Sequence, residues 1–173
     1  MSYGNATVRT FGLFGGDLGA WQTLHKMRKL VNAALVDPLV VGAAKDVAMT
    51  CPPADEVCIA LALRKWLAER FQFVRDPLGV ELLHTPHLMV QTIATRGVFA
   101  GDCDDAAILG AALGKAVGLR ARLRAIGFRR GGPLVHVIAD VRTPRGWADL
   151  DVTRPAQFAN RLPPIARAVT VGV

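Results

Sequence analysis

The sequence predicts an α+β fold, with N-terminal helices packed on a small antiparallel sheet. Two observations carry this. Apolar residues recur with a period near 3.6 as far as Val117, and after Gly118 the period changes to two. The 173 residues are 51% hydrophobic and 20% charged, enough apolar surface for one domain with its own core and too much for a disordered or collagen-like chain.

Residues 1–19 contain Gly12, Gly15, Gly16 and Gly19 and read as a flexible lead-in. They lack the GxGxxG spacing and the following GK[ST] of a phosphate loop. Trp21–Val36 sets Trp21, Leu24, Met27, Leu30, Val31 and Ala34 at helical spacing, and Asp37-Pro38 breaks the helix. Leu39–Met49 is a second short helix, followed by a Cys51-Pro52-Pro53 loop. Asp55 then caps a helix from Glu56 to about Phe71, with Val57, Ile59, Ala60, Leu63, Trp66, Leu67 and Ala68 as its inner stripe. Phe71–Val74 is a short extended piece ended by a turn at Asp76-Pro77-Leu78-Gly79. Pro86–Thr95 is a helix entered through proline and closed before Gly97. An Ala/Leu-rich helix follows Gly101-Asp102-Cys103-Asp104-Asp105 and stops at Gly118. Leu119, Ala121, Leu123 and Ala125 then alternate with Arg120, Arg122 and Arg124, a half-buried strand with an arginine face. Leu134–Val141 and Trp147–Val152 are two further strands, joined through turns at Arg129–Pro133 and Pro144-Arg145-Gly146. Residues 154–173 read as an extended tail, leaving 20–153 as the domain.

The net charge of +7 and pI near 10 suit a soluble arginine-rich chain, with an acidic partner or nucleic acid as the sharper reading. Aromatic residues make up only 6%, too few for stacking platforms, and no homeodomain, zinc-finger or RNP pattern occurs. Nucleic acid is therefore not the expected partner. A mean hydropathy of +0.30 points to apolar surface covered by another protein. The three cysteines, Cys51, Cys58 and Cys103, form no CxxC pair. Their odd number argues against a disulfide-built fold and for a reducing compartment, unless the chain is exported inside an assembly. No Sec-type leader is recognised, and Val31–Met49 is too short and too charged to span a bilayer.

Cys103 sits where a loop turns into a helix. Unpaired backbone N–H groups and the positive end of the helix dipole favour its thiolate and can hold an oxyanion. Asp102 is the expected N-cap, while Asp104 and Asp105 suit the dipole but oppose thiolate formation. A base partner is needed, and His136, between aliphatic residues in a strand, is the best candidate. Asp149 and Asp151 share a face of the next strand, so either could orient His136. Cys51 and Cys58 read as loop and core residues, and His25 as solvated. His84 and His87 flank Thr85-Pro86 as capping residues or as the wall of a substrate groove. Trp147 reads as core, or as a shield or platform at the site. The DxDD run alone is a weak cation site, so neither metal nor cofactor is expected.

Gly101-Asp102-Cys103-Asp104-Asp105-Ala106-Ala107-Ile108-Leu109, then Gly118-Leu119-Arg120, His136-Val137, Gly146-Trp147 and Leu150-Asp151-Val152-Thr153 resemble the transglutaminase-like domain of the papain-like cysteine protease superfamily. The likeness covers roughly residues 55–153. It implies Cys103 as nucleophile, His136 as general base and acid, and Asp151 as orienter, with Asp149 the runner-up. A narrower likeness to small transglutaminase-like proteins of tailed phages and prophages runs through Gln22-Thr23-Leu24, Phe73-Val74-Arg75-Asp76-Pro77 and Thr85-Pro86-His87. It implies a virion or morphogenesis setting with structural-protein partners. Gly97-Val98-Phe99-Ala100 looks like an insert against that pattern, and His84 stands where a glutamine is expected. The implied reaction is acyl transfer on a protein or peptide substrate, hydrolysis being favoured over amine transfer. The alternative is a virion component that keeps the fold for docking through its arginine face and free C-terminal tail.

Overall fold

Side-chain caps start most of the helices. In the computed structural model, which describes residues 12, 14–77, 80–154 and 162–173, Asp37, Asp55, Thr85 and Asp102 each accept a backbone N–H from the first turn that follows. These caps open α2 (Pro38–Ala48), α3 (Glu56–Arg70), α4 (Pro86–Arg96) and α5 (Cys103–Ala116). Before them lies α1 (Gly16–Ala33), continued by a single 3₁₀ turn over Ala34–Val36. Proline stands at the first position of α2 and α4, and Gly97 closes α4 at φ 82°. The chain therefore enters its first helix earlier than expected. The expected lead-in lies mostly outside the described residues, as does part of the 76–79 turn.

Strands β1 (Phe71–Phe73) and β2 (Phe99–Gly101) pair in parallel and bring the chain to the start of α5. Phe99–Gly101 is thus part of the sheet framework, with Phe99 buried against Phe71. The second sheet has the order β5-β4-β3-β6, all antiparallel, with β3 (Ala121–Gly127), β4 (His136–Thr143), β5 (Gly146–Asp149) and β6 (Arg167–Gly172). The segment read as an extended tail thus contributes β6, paired along β3 from Arg122↔Gly172 to Gly127↔Arg167. Val171 is buried by that pairing.

α5 is the centre of the molecule. Every residue from Asp104 to Gly114 is buried, and the helix packs on the inner face of β3 and β4. Two glycines four residues apart permit the approach: a Cβ on Gly114 would meet Val141 Cγ1 at 2.5 Å, and one on Gly110 would meet Leu150 Cβ at 3.3 Å. α1, α2 and α3 wrap the other sides of α5 through Leu24, Met27, Val40, Ala44, Leu63 and Leu67. Losing one such leucine side chain costs about 2–5 kcal/mol, so the start of α5 rests on a stiff support. Trp21 is exposed and stacks on His25, which is half-buried rather than solvated as expected.

Cys51 and Cys58 form a disulfide across the loop between α2 and α3. This corrects their reading as unrelated loop and core residues. Odd cysteine count was a poor guide, because the third thiol, Cys103, is the free one. The bond also removes the ground for assigning a reducing compartment. No helix among the described residues is long and apolar enough to cross a membrane.

Candidate active site

Three elements meet at the N-terminus of α5. Asp102 caps it, its Oδ1 accepting the Asp104 N–H at 3.0 Å. Cys103 is the first helical residue and half-buried. Its sulfur accepts the backbone N–H of Val137, the residue after His136, and its S–H lies 3.7 Å from Asp104 Oδ1. The sulfur is therefore seated against the beginning of β4, where His136 stands.

His136 Nε2 is hydrogen-bonded to Asp151 Oδ2 at 2.8 Å, with the Asp151 side chain only 1% exposed. Asp151 Oδ1 accepts both the backbone N–H and the hydroxyl of Thr153, each at 3.0 Å. Arg154 Nε donates to Oδ2 at 2.9 Å. Burial alone would raise the Asp151 carboxyl. The bonds from His136, Thr153 and Arg154 outweigh it and hold the group down to about 2. Asp149, the alternative orienter, makes a different contact: its Oδ1 accepts from Arg154 Nη2, and Arg64 Nε lies 3.9 Å away.

Charge around the sulfur runs opposite to the helix-dipole expectation. Burial, then the neighbouring Asp104 and Asp102 charges, push the Cys103 thiol well above its usual range, and only the Val137 N–H pulls the other way. Cys103 therefore rests as a thiol. The acids share the strain: burial and the charges of Asp76 and Asp105 push Asp102 up to about 6. Burial and the neighbouring Glu81 raise the Asp104 carboxyl as well. Asp102, Cys103 and Asp104 bring ligand atoms within 4.8 Å of one another. Helix capping and the Glu81 bond already employ both acids.

His84 lies beside this cluster. Its backbone N–H and its Nδ1 each meet one oxygen of the fully buried Asp105, both at 2.8 Å, and its ring stands edge-on to Phe99. The Asp105 bond outweighs burial and raises the imidazole above its ordinary value. The other two groove candidates are placed elsewhere. His87 Nδ1 bonds Asp37 Oδ2 at 2.7 Å, clasping α4 to the start of α2. Trp147 pairs with Arg142, six residues along β4 from His136 and so roughly 20 Å distant. Its ring lies 4.0 Å from the Arg122 guanidinium and 5.8 Å from that of Arg142. The arginine face is internally neutralised in part, because buried Asp140 accepts from Arg122 Nε at 2.7 Å and from Arg124 Nε at 2.6 Å. Arg154 and Arg64 were not singled out in the sequence. An acid-rich strand followed by an arginine was the available signal.

Residues 44–152 match the transglutaminase-like superfamily, and the chain belongs to it. Among solved structures, a proposed cysteine protease from Cytophaga hutchinsonii aligns with 18% identity and a TM-score of 0.48, over 78% of this chain and 50% of that one. The chain thus spans half the length of that protein. No curated protein matches it in sequence.

Proposed function

We propose that this protein is a thiol-dependent acyl-transfer enzyme that cleaves amide bonds of a protein or peptide, with Cys103 as nucleophile, His136 as base and acid, and Asp151 as orienter. The observation that carries the reading is the 2.8 Å His136–Asp151 bond, formed one residue from the backbone N–H that holds the Cys103 sulfur. With Nε2–H donating to Asp151, the imidazole lone pair is on Nδ1. Because the thiol is not ionised at rest, proton transfer accompanies attack. Sγ bonds to the amide carbonyl carbon while its proton passes to Nδ1. The backbone N–H of Cys103, first in α5, steadies the oxyanion. Nδ1–H then protonates the leaving amine, the C–N bond breaks and a thioester remains. Water attacks the thioester carbonyl, gives its proton to His136, and the sulfur leaves as the thiol.

Incubation with fluorescein-labelled casein and dansylcadaverine tests the reading, with Cys103→Ala as control. Release of labelled fragments only by the wild type supports hydrolysis. Cys103-dependent dansyl incorporation without fragments would move the assignment to amine transfer. Neither product, together with equal alkylation of Cys103 in wild type and His136→Ala, would remove the enzymatic reading.

A phage or prophage setting is part of the proposal and rests on the likeness that runs through Gln22-Thr23-Leu24, Phe73-Val74-Arg75-Asp76-Pro77 and Thr85-Pro86-His87. A purely docking role loses support, since β6 uses the C-terminal segment within its own sheet.

A further inference from the structure

Arg154 lies just past the Asp151-Val152-Thr153 run, yet its side chain is only 7% exposed. Its guanidinium is forked between two carboxylates. Nε meets Asp151 Oδ2 at 2.9 Å, the same oxygen that binds His136 Nε2 at 2.8 Å, and Nη2 meets Asp149 Oδ1. The other Asp151 oxygen is taken by Thr153. From α3, Arg64 donates to the Asp151 main-chain oxygen at 3.5 Å and approaches Asp149, and Lys65 borders the same cleft. Among the described residues, the charged groups facing Asp151 are His136 from β4, Asp149 from β5, Arg64 and Lys65 from α3, and Arg154 itself.

We infer that Arg154 is a positioning residue of the proposed site: held by Asp149, it fixes the Asp151 carboxylate and competes with His136 for one oxygen, so that it sets how strongly Asp151 acts on the imidazole. The inference rests on the reading of Cys103, His136 and Asp151 given above. A guanidinium already on the oxygen that holds the imidazole repels a second positive charge placed there. Arginine suits the post because its planar fork spans two carboxylates, which a lysine ammonium cannot do with the same geometry.

The test is the pH profile of Cys103 carboxamidomethylation by iodoacetamide, read by mass spectrometry on the intact chain. Arg154→Gln removes the repulsion, and the acid-side midpoint should rise by about one pH unit, a roughly tenfold loss of rate below the midpoint. Arg154→Lys keeps the charge and loses the fork: the midpoint should stay near wild type while the plateau rate falls several-fold. If Arg154→Gln does not fold, Arg154→Lys decides alone, and a wild-type plateau overturns the inference. Profiles of both variants that superimpose on wild type, while His136→Ala still slows the reaction, overturn the role of Arg154 only. A wild-type rate in His136→Ala overturns the site and this inference together.

Discussion

Replacing Asp151 by Asn should change how stability responds to acid, and the size follows from the site. The Asp151 carboxyl sits at about 2 in the folded protein against a usual value of 3.8. A folded value below the unfolded one means that ionisation stabilises the fold. The stabilisation is complete above the unfolded value and is lost as pH falls through 4 towards 2. At 1.36 kcal/mol per unit, the depression corresponds to roughly 2 kcal/mol. Asp151 is nearly fully buried, so solvent screening takes little of this away. Urea unfolding of wild type and Asp151→Asn at steps between pH 5 and pH 2 measures it. Asp102, Asp104 and Asp76 titrate in both proteins and largely cancel in the difference. The stability gap should shrink by roughly 2 kcal/mol across that range. A gap independent of pH would refute the idea that Asp151 is held as a carboxylate by His136, Thr153 and Arg154.

Three other outcomes follow from separate parts of the molecule. Reducing Cys51–Cys58 frees a short loop, seven residues in sequence separation, and should lower unfolding free energy by about 2–3 kcal/mol in the chain-entropy view; unchanged urea midpoints with dithiothreitol would contradict it. Gly114→Ala should destabilise by about 1–3 kcal/mol through the clash with Val141, and Val141→Ala in the same chain should recover part of the loss. Additive losses in thermal unfolding would count against that contact. Asp104→Asn removes the carboxyl beside the sulfur and should raise the Cys103 alkylation rate at pH 8 by roughly tenfold, with a slower rate speaking against the electrostatic account.

The legible parts of the sequence were those where local chemistry and tertiary role agree. Asp102-Cys103 before an Ala/Leu run reads as a capped helix start, and the burial of Asp104–Gly114 is what such a run is for. The alternation around Arg122 and Arg124 read correctly as a strand, but the buried Asp140 that neutralises the face lay on another strand and left no local trace. Phe99–Gly101 is too short to show a period, and exists as a strand only because Phe71–Phe73 lies beside it. Arg167–Gly172 is short and follows prolines, so its pairing with β3 is a long-range effect that composition hides. The disulfide escaped because seven-residue spacing across a Pro-Pro loop matches no motif. Thiol activation was misjudged for a different reason. The dipole is a property of the helix and can be read locally, whereas the burial of the sulfur and the Glu81–Asp104 contact come from folding.

The most direct measurement is the second-order rate constant of Cys103 with iodoacetamide at pH 7.5, compared between wild type and His136→Ala in folded, oxidised protein. Since Cys51 and Cys58 are bonded to each other, Cys103 is the thiol that reports. If the imidazole serves the sulfur, the variant reacts at least tenfold more slowly, one unit of effective thiol basicity. Identical rates would mean that His136 and Cys103 do not act together, and the proposed chemistry would have no base.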